Sequence, residues 1–183
     1  LELPPGISIS DIIGGGTSGL AALIPRTRTV LKFSHGDPDE CGRCEREAQI
    51  YELLSKSTVP RPPSLLEYQG RSTCGRGILL QYAENNTVRR YLGIPNNRLA
   101  SSVLIPRWAH QAALALHFVH MNDAAHGDVT CDNFFLDEDY NLRLGDFTNS
   151  SLGLSTFQEQ DDIFEFGLAL YEMSTGIQLF KGL

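Results

Sequence analysis

The run His126-Gly127-Asp128-Val129-Thr130-Cys131-Asp132-Asn133 is followed, twelve residues after Asn133, by Gly145-Asp146-Phe147. An aspartate with an asparagine five positions on, then a second aspartate beyond a short apolar hairpin, is the spacing that holds a base and two magnesium ligands around a nucleotide's terminal phosphate. Asp128 stands in the base position, and Asn133 and Asp146 stand in the ligand positions. The chemistry such a set can do is phosphoryl transfer.

Composition sets the outer limits. With 183 residues, 42% of them hydrophobic, the chain can bury one substantial core or two small lobes. A formal net charge of -7 argues against a nucleic-acid surface, and basic clusters such as Arg89-Arg90 are too short to steer a polyanion. No apolar run approaches the roughly 20 residues of a membrane span. Because the numbering starts at Leu1, the chain is expected to be a processed, trimmed or incomplete product, and targeting signals are not judged from it. Four irregularly spaced cysteines point to a reducing, intracellular compartment, cytoplasmic or nuclear, and not to a disulfide scaffold. Cys41-Gly42-Arg43-Cys44 has a metal-ligand spacing, but Cys74 and Cys131 stand alone and supply no second pair. Asn85-Asn86-Thr87 and Asn149-Ser150-Ser151 match a glycosylation pattern that has no force without a secretory context.

The elements that must position the set can be read in order. Ile7 to Ile13 alternates apolar and polar residues, runs into Gly14-Gly15-Gly16-Thr17-Ser18-Gly19, and returns through apolar Leu20 to Ile24. Such a strand, glycine turn and strand bring backbone N–H groups onto phosphates, although the same pattern alone also fits a plain glycine hairpin. A dinucleotide fold would place a helix next, whereas Pro25 and the β-branched stretch to Phe33 follow. Lys32 lies in that third strand, where its ammonium can face the hairpin. A helix from Cys44 to Leu54 carries Glu47 one turn before Tyr51, so Glu47 is expected to meet Lys32; its alternative partner is Arg43 on a solvated face. Ser64 to Tyr68 and Gly77 to Tyr82 read as strands, with a hinge at Gln81-Tyr82-Ala83 dividing a lobe 1–82 from a lobe 83–183. Val103 to Met121 reads as an amphipathic helix through Trp108, Ala112, Leu116 and Val119; His110, His117 and His120 on it are taken as surface or packing residues.

In order, spacing and residue type, five motifs together resemble the eukaryotic protein kinase family, from the glycine turn to Asp162-Ile163-Phe164-Glu165-Phe166-Gly167. The resemblance implies an α+β bilobal fold, an antiparallel small lobe with one helix above a truncated, mainly helical large lobe. It implies ATP and Mg2+ in the cleft between them, and a serine/threonine type of acceptor in preference to tyrosine. Position by position, Gly14, Gly16 and Gly19 match the phosphate-covering loop, Lys32 the phosphate-binding lysine and Glu47 its helix partner. Asp128 matches the catalytic base, Asn133 and Asp146 the magnesium ligands, and Asp162 the aspartate that braces the catalytic-loop backbone. By the same resemblance Ala21, Val30 and Phe135 sandwich the adenine, Gln81 and Ala83 belong to the hinge, and Tyr51, His126 and Phe147 form a stack.

The departures are as specific as the matches. Gly127 stands where the family usually has arginine, Thr130 where it has lysine, and Thr148 follows Phe147 in place of glycine. Fifteen residues separate Asp146 from Asp162, without Ala-Pro-Glu, so the platform for an extended peptide is largely missing and the later large-lobe helices are expected to be absent or lost. Phosphorylation at Ser150, Ser151, Ser155 or Thr156 is therefore not expected to act as an on-switch. Three functions remain open: an active protein kinase, a pseudokinase serving as nucleotide-binding scaffold or regulator, and a small-molecule kinase resembling the aminoglycoside and choline enzymes. The protein substrate or docking partner is not identified by the residues.

Overall fold

The computed structural model describes residues 3–16, 19–95 and 97–179. An antiparallel five-stranded sheet forms the first half of the fold, from β1 (Ile12–Gly16), β2 (Gly19–Leu23), β3 (Thr29–Phe33), β4 (Tyr68–Arg71) and β5 (Ile78–Gln81), in the order β1-β2-β3-β5-β4. Its register sets Lys32 opposite Ala21 on one side and Ile78 on the other, near the middle of the sheet. Helix α1 (Pro38–Ser55) starts where Asp37 caps the Asp39 and Glu40 amides, at 2.9 and 3.3 Å, with Pro38 in the first turn. It buries Glu47, Ala48, Ile50, Tyr51 and Leu54, the stripe that 3.6-residue periodicity demands.

After β5 come α2 (Val88–Gly93), α3 (Asn97–Met121), a hairpin of β7 (Phe134–Leu136) and β8 (Leu142–Leu144), and α4 (Thr156–Thr175). Short strands β6 (Ala124–Ala125) and β9 (Ser151–Leu152) pair antiparallel and tie the segment after α3 to the segment before α4. Helix α3 packs Trp108, Ala112, Ala115, Phe118 and Val119 into the main core, which runs without interruption from α1 through the β7–β8 hairpin to Met173 of α4. The β7–β8 turn is clasped by Asp137, whose carboxylate accepts from the amides of Asp139 and Asn141 and from the Arg143 guanidinium. Among the described residues no helix is long and apolar enough to cross a membrane.

The elements depart from the sequence reading at their ends. Ile7 to Ile13 is not one strand, because Ser8 folds back on Asp11 through its amide (2.7 Å) and hydroxyl (2.6 Å), forming a 3-10 turn at Ile9–Asp11 that delays β1 to Ile12. Ser64 to Leu66 pairs downward and not with the upper sheet, since Leu66 N donates to Leu144 O and Leu144 N to Ser64 O, both at 2.8 Å. The upper strand then begins at Tyr68. Helix α1 begins at Pro38, well before Cys44, and α3 runs from Asn97 straight through Pro106, which costs it one backbone bond that packing offsets.

Candidate active site

A cleft of about 350 Å³ opens between the sheet and the β7–β8 hairpin. Its roof is the β1–β2 hairpin, including Gly14, Gly16 and Gly19. Gly19 has φ +116°, and a Cβ there would lie 2.3 Å from the Phe33 carbonyl oxygen, so no other residue fits. Gly16 lines the cleft, and a Cβ there would meet nothing within 4 Å. Thr17 and Ser18, the tip of the expected glycine loop, lie outside the described residues. Ala21 and Val30 face the cleft from the sheet, Phe135 from the hairpin, and Gln81 and Ala83 from the end of β5 and the residues just after it. Ile13, Leu66, Leu80, Thr87, Arg90 and Asp132 also line it and were not singled out from the sequence. Of these, Leu80 was accessible to pattern reasoning, because strand alternation sets it beside Val30, its cross-strand partner.

At the cleft's inner end Lys32 is the junction. Its Nζ lies 2.8 Å from Glu47 Oε2 and 2.8 Å from Asp146 Oδ1, joining β3, α1 and the segment after β8. Of the two partners expected for Glu47, Lys32 is the one that meets it at this junction. Burial alone would lower the Lys32 pKa, but the Glu47 and Asp146 carboxylates outweigh it and hold the ammonium well above its ordinary value. Burial alone would raise Asp146, yet Lys32 and the Thr148 hydroxyl bring it below the usual carboxylate range. Glu47 is fully buried and its Oε1 accepts the Phe147 amide at 3.3 Å. The Phe147 ring packs edge-on to Tyr51 at 4.9 Å between centroids and against His126 at 4.9 Å, so the expected stack is present; Tyr68 extends it by stacking on Tyr51 at 5.3 Å.

The segment from His126 to Asn133 is held from beneath. Asp162, fully buried on α4, accepts from the amides of His126 (2.8 Å) and Gly127 (2.7 Å). It also bonds His120 Nε2 at 2.8 Å, so His120 is a brace and not the surface or packing residue that helical position suggested. Glu165, one turn on, accepts the Val129 amide at 2.7 Å. His126 is buried, which pushes its pKa down and keeps it neutral. Its Nε2 faces the Gly145 carbonyl (3.1 Å) and its Nδ1 the Asp128 amide (3.3 Å), and since the first can only accept and the second only donate, the proton sits on Nε2. Asn133 donates its amide nitrogen to Asp128 Oδ2 at 2.9 Å and to the Asp128 carbonyl at 2.8 Å, while Asn133 itself lines the cleft. Asp128 thus joins the cleft through Asn133.

Residues outside this set play other parts. Arg89 of α2 forks onto Glu172 of α4 at 2.7 and 2.8 Å and pairs with Asp132, tying the cleft floor to the helical core. None of the four cysteines is in a disulfide, and among the described residues no group of three or more His, Cys, Asp or Glu could hold a metal by itself. Ser150 is buried and donates to the His126 carbonyl at 2.7 Å, and Ser155 caps α4.

Comparison with known proteins agrees with this geometry. The profile of the family described as protein tyrosine and serine/threonine kinase matches residues 30–154. Serine/threonine-protein kinase Nek3 of Oryza sativa subsp. japonica is 30% identical over 203 residues, covering 94% of this chain and 34% of that protein. Serine/threonine-protein kinase Nek6 of the same organism is 30% identical over 149 residues, covering 76% of this chain and 27% of that protein. The chain spans at most 34% of the length of these two relatives.

Proposed function

We infer the function from the family: this chain belongs to the protein tyrosine and serine/threonine kinases, and we propose that it transfers the γ-phosphate of ATP to a serine or threonine hydroxyl of a protein. The observation that carries the proposal is the Lys32 junction, where one ammonium is held 2.8 Å from both Glu47 and Asp146. Nothing in packing alone calls for a buried cation between two carboxylates 99 positions apart in the chain (146 − 47). The relatives' names, both serine/threonine kinases, favour that acceptor over tyrosine. We place the lobe boundary between Tyr82 and Ala83, where the chain leaves the sheet.

The residues present fit a magnesium nucleotide. Asp146 and Asn133 offer hard oxygen donors at the cleft's inner end, and a protein shell this small is what magnesium takes when phosphates complete it. When bound, the metal neutralises charge on the transferring phosphoryl group. Lys32 adds a fixed cation, kept in place by Glu47 and unable to swing away while that pair is buried. The Ala83 amide has no backbone partner among the described residues and is the hinge donor available to an adenine edge. Asp128 accepts the proton of the attacking hydroxyl; the Asn133 amide and the Asp162-braced loop fix its carboxylate in one direction.

Thermal-shift titration with ATP, with and without Mg2+, coupled to an ADP-release assay on a generic protein acceptor, tests the reading. Stabilisation by ATP that Mg2+ strengthens, with Asp128→Asn lowering transfer by about a hundredfold while leaving that stabilisation intact, is the expected result. ATP stabilisation without any transfer, unchanged by Asp128→Asn, would assign the chain to a nucleotide-binding scaffold instead.

A further inference from the structure

We propose that Thr148 is a positioning residue of the site, its hydroxyl fixing the orientation in which the Asp146 carboxylate would hold a magnesium ion. The inference rests on the reading of Asp146 as a metal ligand. Thr148 is only 7% exposed, and its Oγ1 donates to Asp146 Oδ1 at 2.7 Å. The Thr148 amide points at the same oxygen from 3.4 Å, and Lys32 Nζ reaches it at 2.8 Å. Oδ1 is therefore crowded with donors from two directions, which fixes the plane of the carboxylate and leaves Oδ2 as the oxygen for a ligand.

The backbone needs such a clamp. Asp146 sits at φ +63°, in the left-handed region that non-glycine residues seldom adopt and that persists only when surroundings enforce it. Lys32 anchors the carboxylate from the sheet, and Thr148 anchors it from its own segment, two residues on. A glycine at 148 would keep the amide contact but lose the shorter hydroxyl bond. Threonine at this position exchanges the backbone freedom of glycine for a second fixed bond to the Asp146 side chain.

The test uses the whole chain and its Thr148→Val, Thr148→Ala and Thr148→Ser variants. Each is melted with saturating ATP across a Mg2+ titration, and separately without nucleotide. Thr148→Val and Thr148→Ala should raise the half-saturating Mg2+ concentration about tenfold or more, as loss of a bond to a metal ligand commonly does, while Thr148→Ser stays within about threefold of wild type. If Thr148→Val fails to fold, the alanine and serine variants carry the same comparison. Variants that melt lower without nucleotide but keep the wild-type Mg2+ dependence would show that Thr148 only packs, and a serine variant as weak as valine would show that the hydroxyl is not the cause; either overturns the inference alone. A wild type whose melting does not respond to Mg2+ and ATP would remove the kinase reading and this inference together.

Discussion

Replacing Asp162 by asparagine tests whether α4 holds the catalytic segment in place. The carboxylate is fully buried and receives the His126 amide, the Gly127 amide and His120 Nε2 at 2.7 to 2.8 Å. Hydrogen bonds to a charged acceptor contribute about 1.5–3 kcal/mol each, and an isosteric amide keeps only one acceptor oxygen. Whichever way it turns, the substituted side chain would point its NH2 at a buried N–H donor. One charge-assisted bond is lost outright and the others weaken, so the expected destabilisation is about 3 kcal/mol. With a urea slope of about 2 kcal/mol per M, the unfolding midpoint should fall by about 1.5 M. Phosphate transfer should fall further than the folded fraction does, because the loop carrying Asp128 hangs from these bonds. A midpoint shift under about 0.5 M with transfer unchanged would refute the reasoning.

Lys32→Met should abolish transfer and cost about 3 kcal/mol, because Glu47 is left buried without its cation; adding Glu47→Gln should recover most of the stability and none of the transfer, as urea melts and ADP release would show. Burial lowers the His126 pKa, so on acidification below about 6.5 the unfolded chain takes up a proton before the native one does, and stability should decline from there until the native imidazole also titrates. Midpoints measured from pH 8 to pH 5 should show that decline in wild type and lack it in His126→Asn. Replacing both Ser151 and Thr156 by alanine should leave transfer within about twofold of wild type, whereas Ser150→Ala should destabilise by about 1 kcal/mol by orphaning the buried His126 carbonyl.

Much of the site was legible because its members are constrained by chemistry that spacing records. Asn133 and Asp146 flank one short hairpin, and Asp128, five residues before Asn133, is bonded to it, so their separations in sequence fix their convergence in space; Gly145 N even bonds Asn133 O across the hairpin's base, at 3.1 Å. Lys32 and Glu47 were legible for another reason, since each would be a buried charge without the other. His120 was not, because its partner lies forty-two positions away on α4 and helical periodicity says nothing about what meets a histidine. The Arg89 fork onto Glu172 and Asp132 was missed likewise, and the dipeptide Arg89-Arg90 read as surface charge. At the element ends the errors came from local competition: Ser8 with Asp11 bends a chain whose alternation reads as a strand, and Ser64 to Leu66 has strand character but spends it on β8.

The absent arginine at position 127 takes a different meaning once its surroundings are known. Gly127 adopts φ +73°, and a Cβ there would lie 2.5 Å from the Asn149 carbonyl oxygen, so any side chain would force the two segments apart. The space that a phosphate receptor would need is filled by backbone from the segment that such a receptor would organise. That segment is fastened without phosphate: β9 pairs with β6, Ser150 bonds the His126 carbonyl, and Asp123 accepts the amides of Gly153 at 2.8 Å and Leu154 at 2.9 Å. These are short-range bonds between residues close to the catalytic loop, and they require no added charge to form. A long activation segment carries a large conformational entropy that a phosphate–arginine contact can offset; a segment of fifteen residues stitched at four points carries far less. Gly127 and the short segment are thus packed backbone against backbone, and hydrogen bonds alone hold the segment in this arrangement.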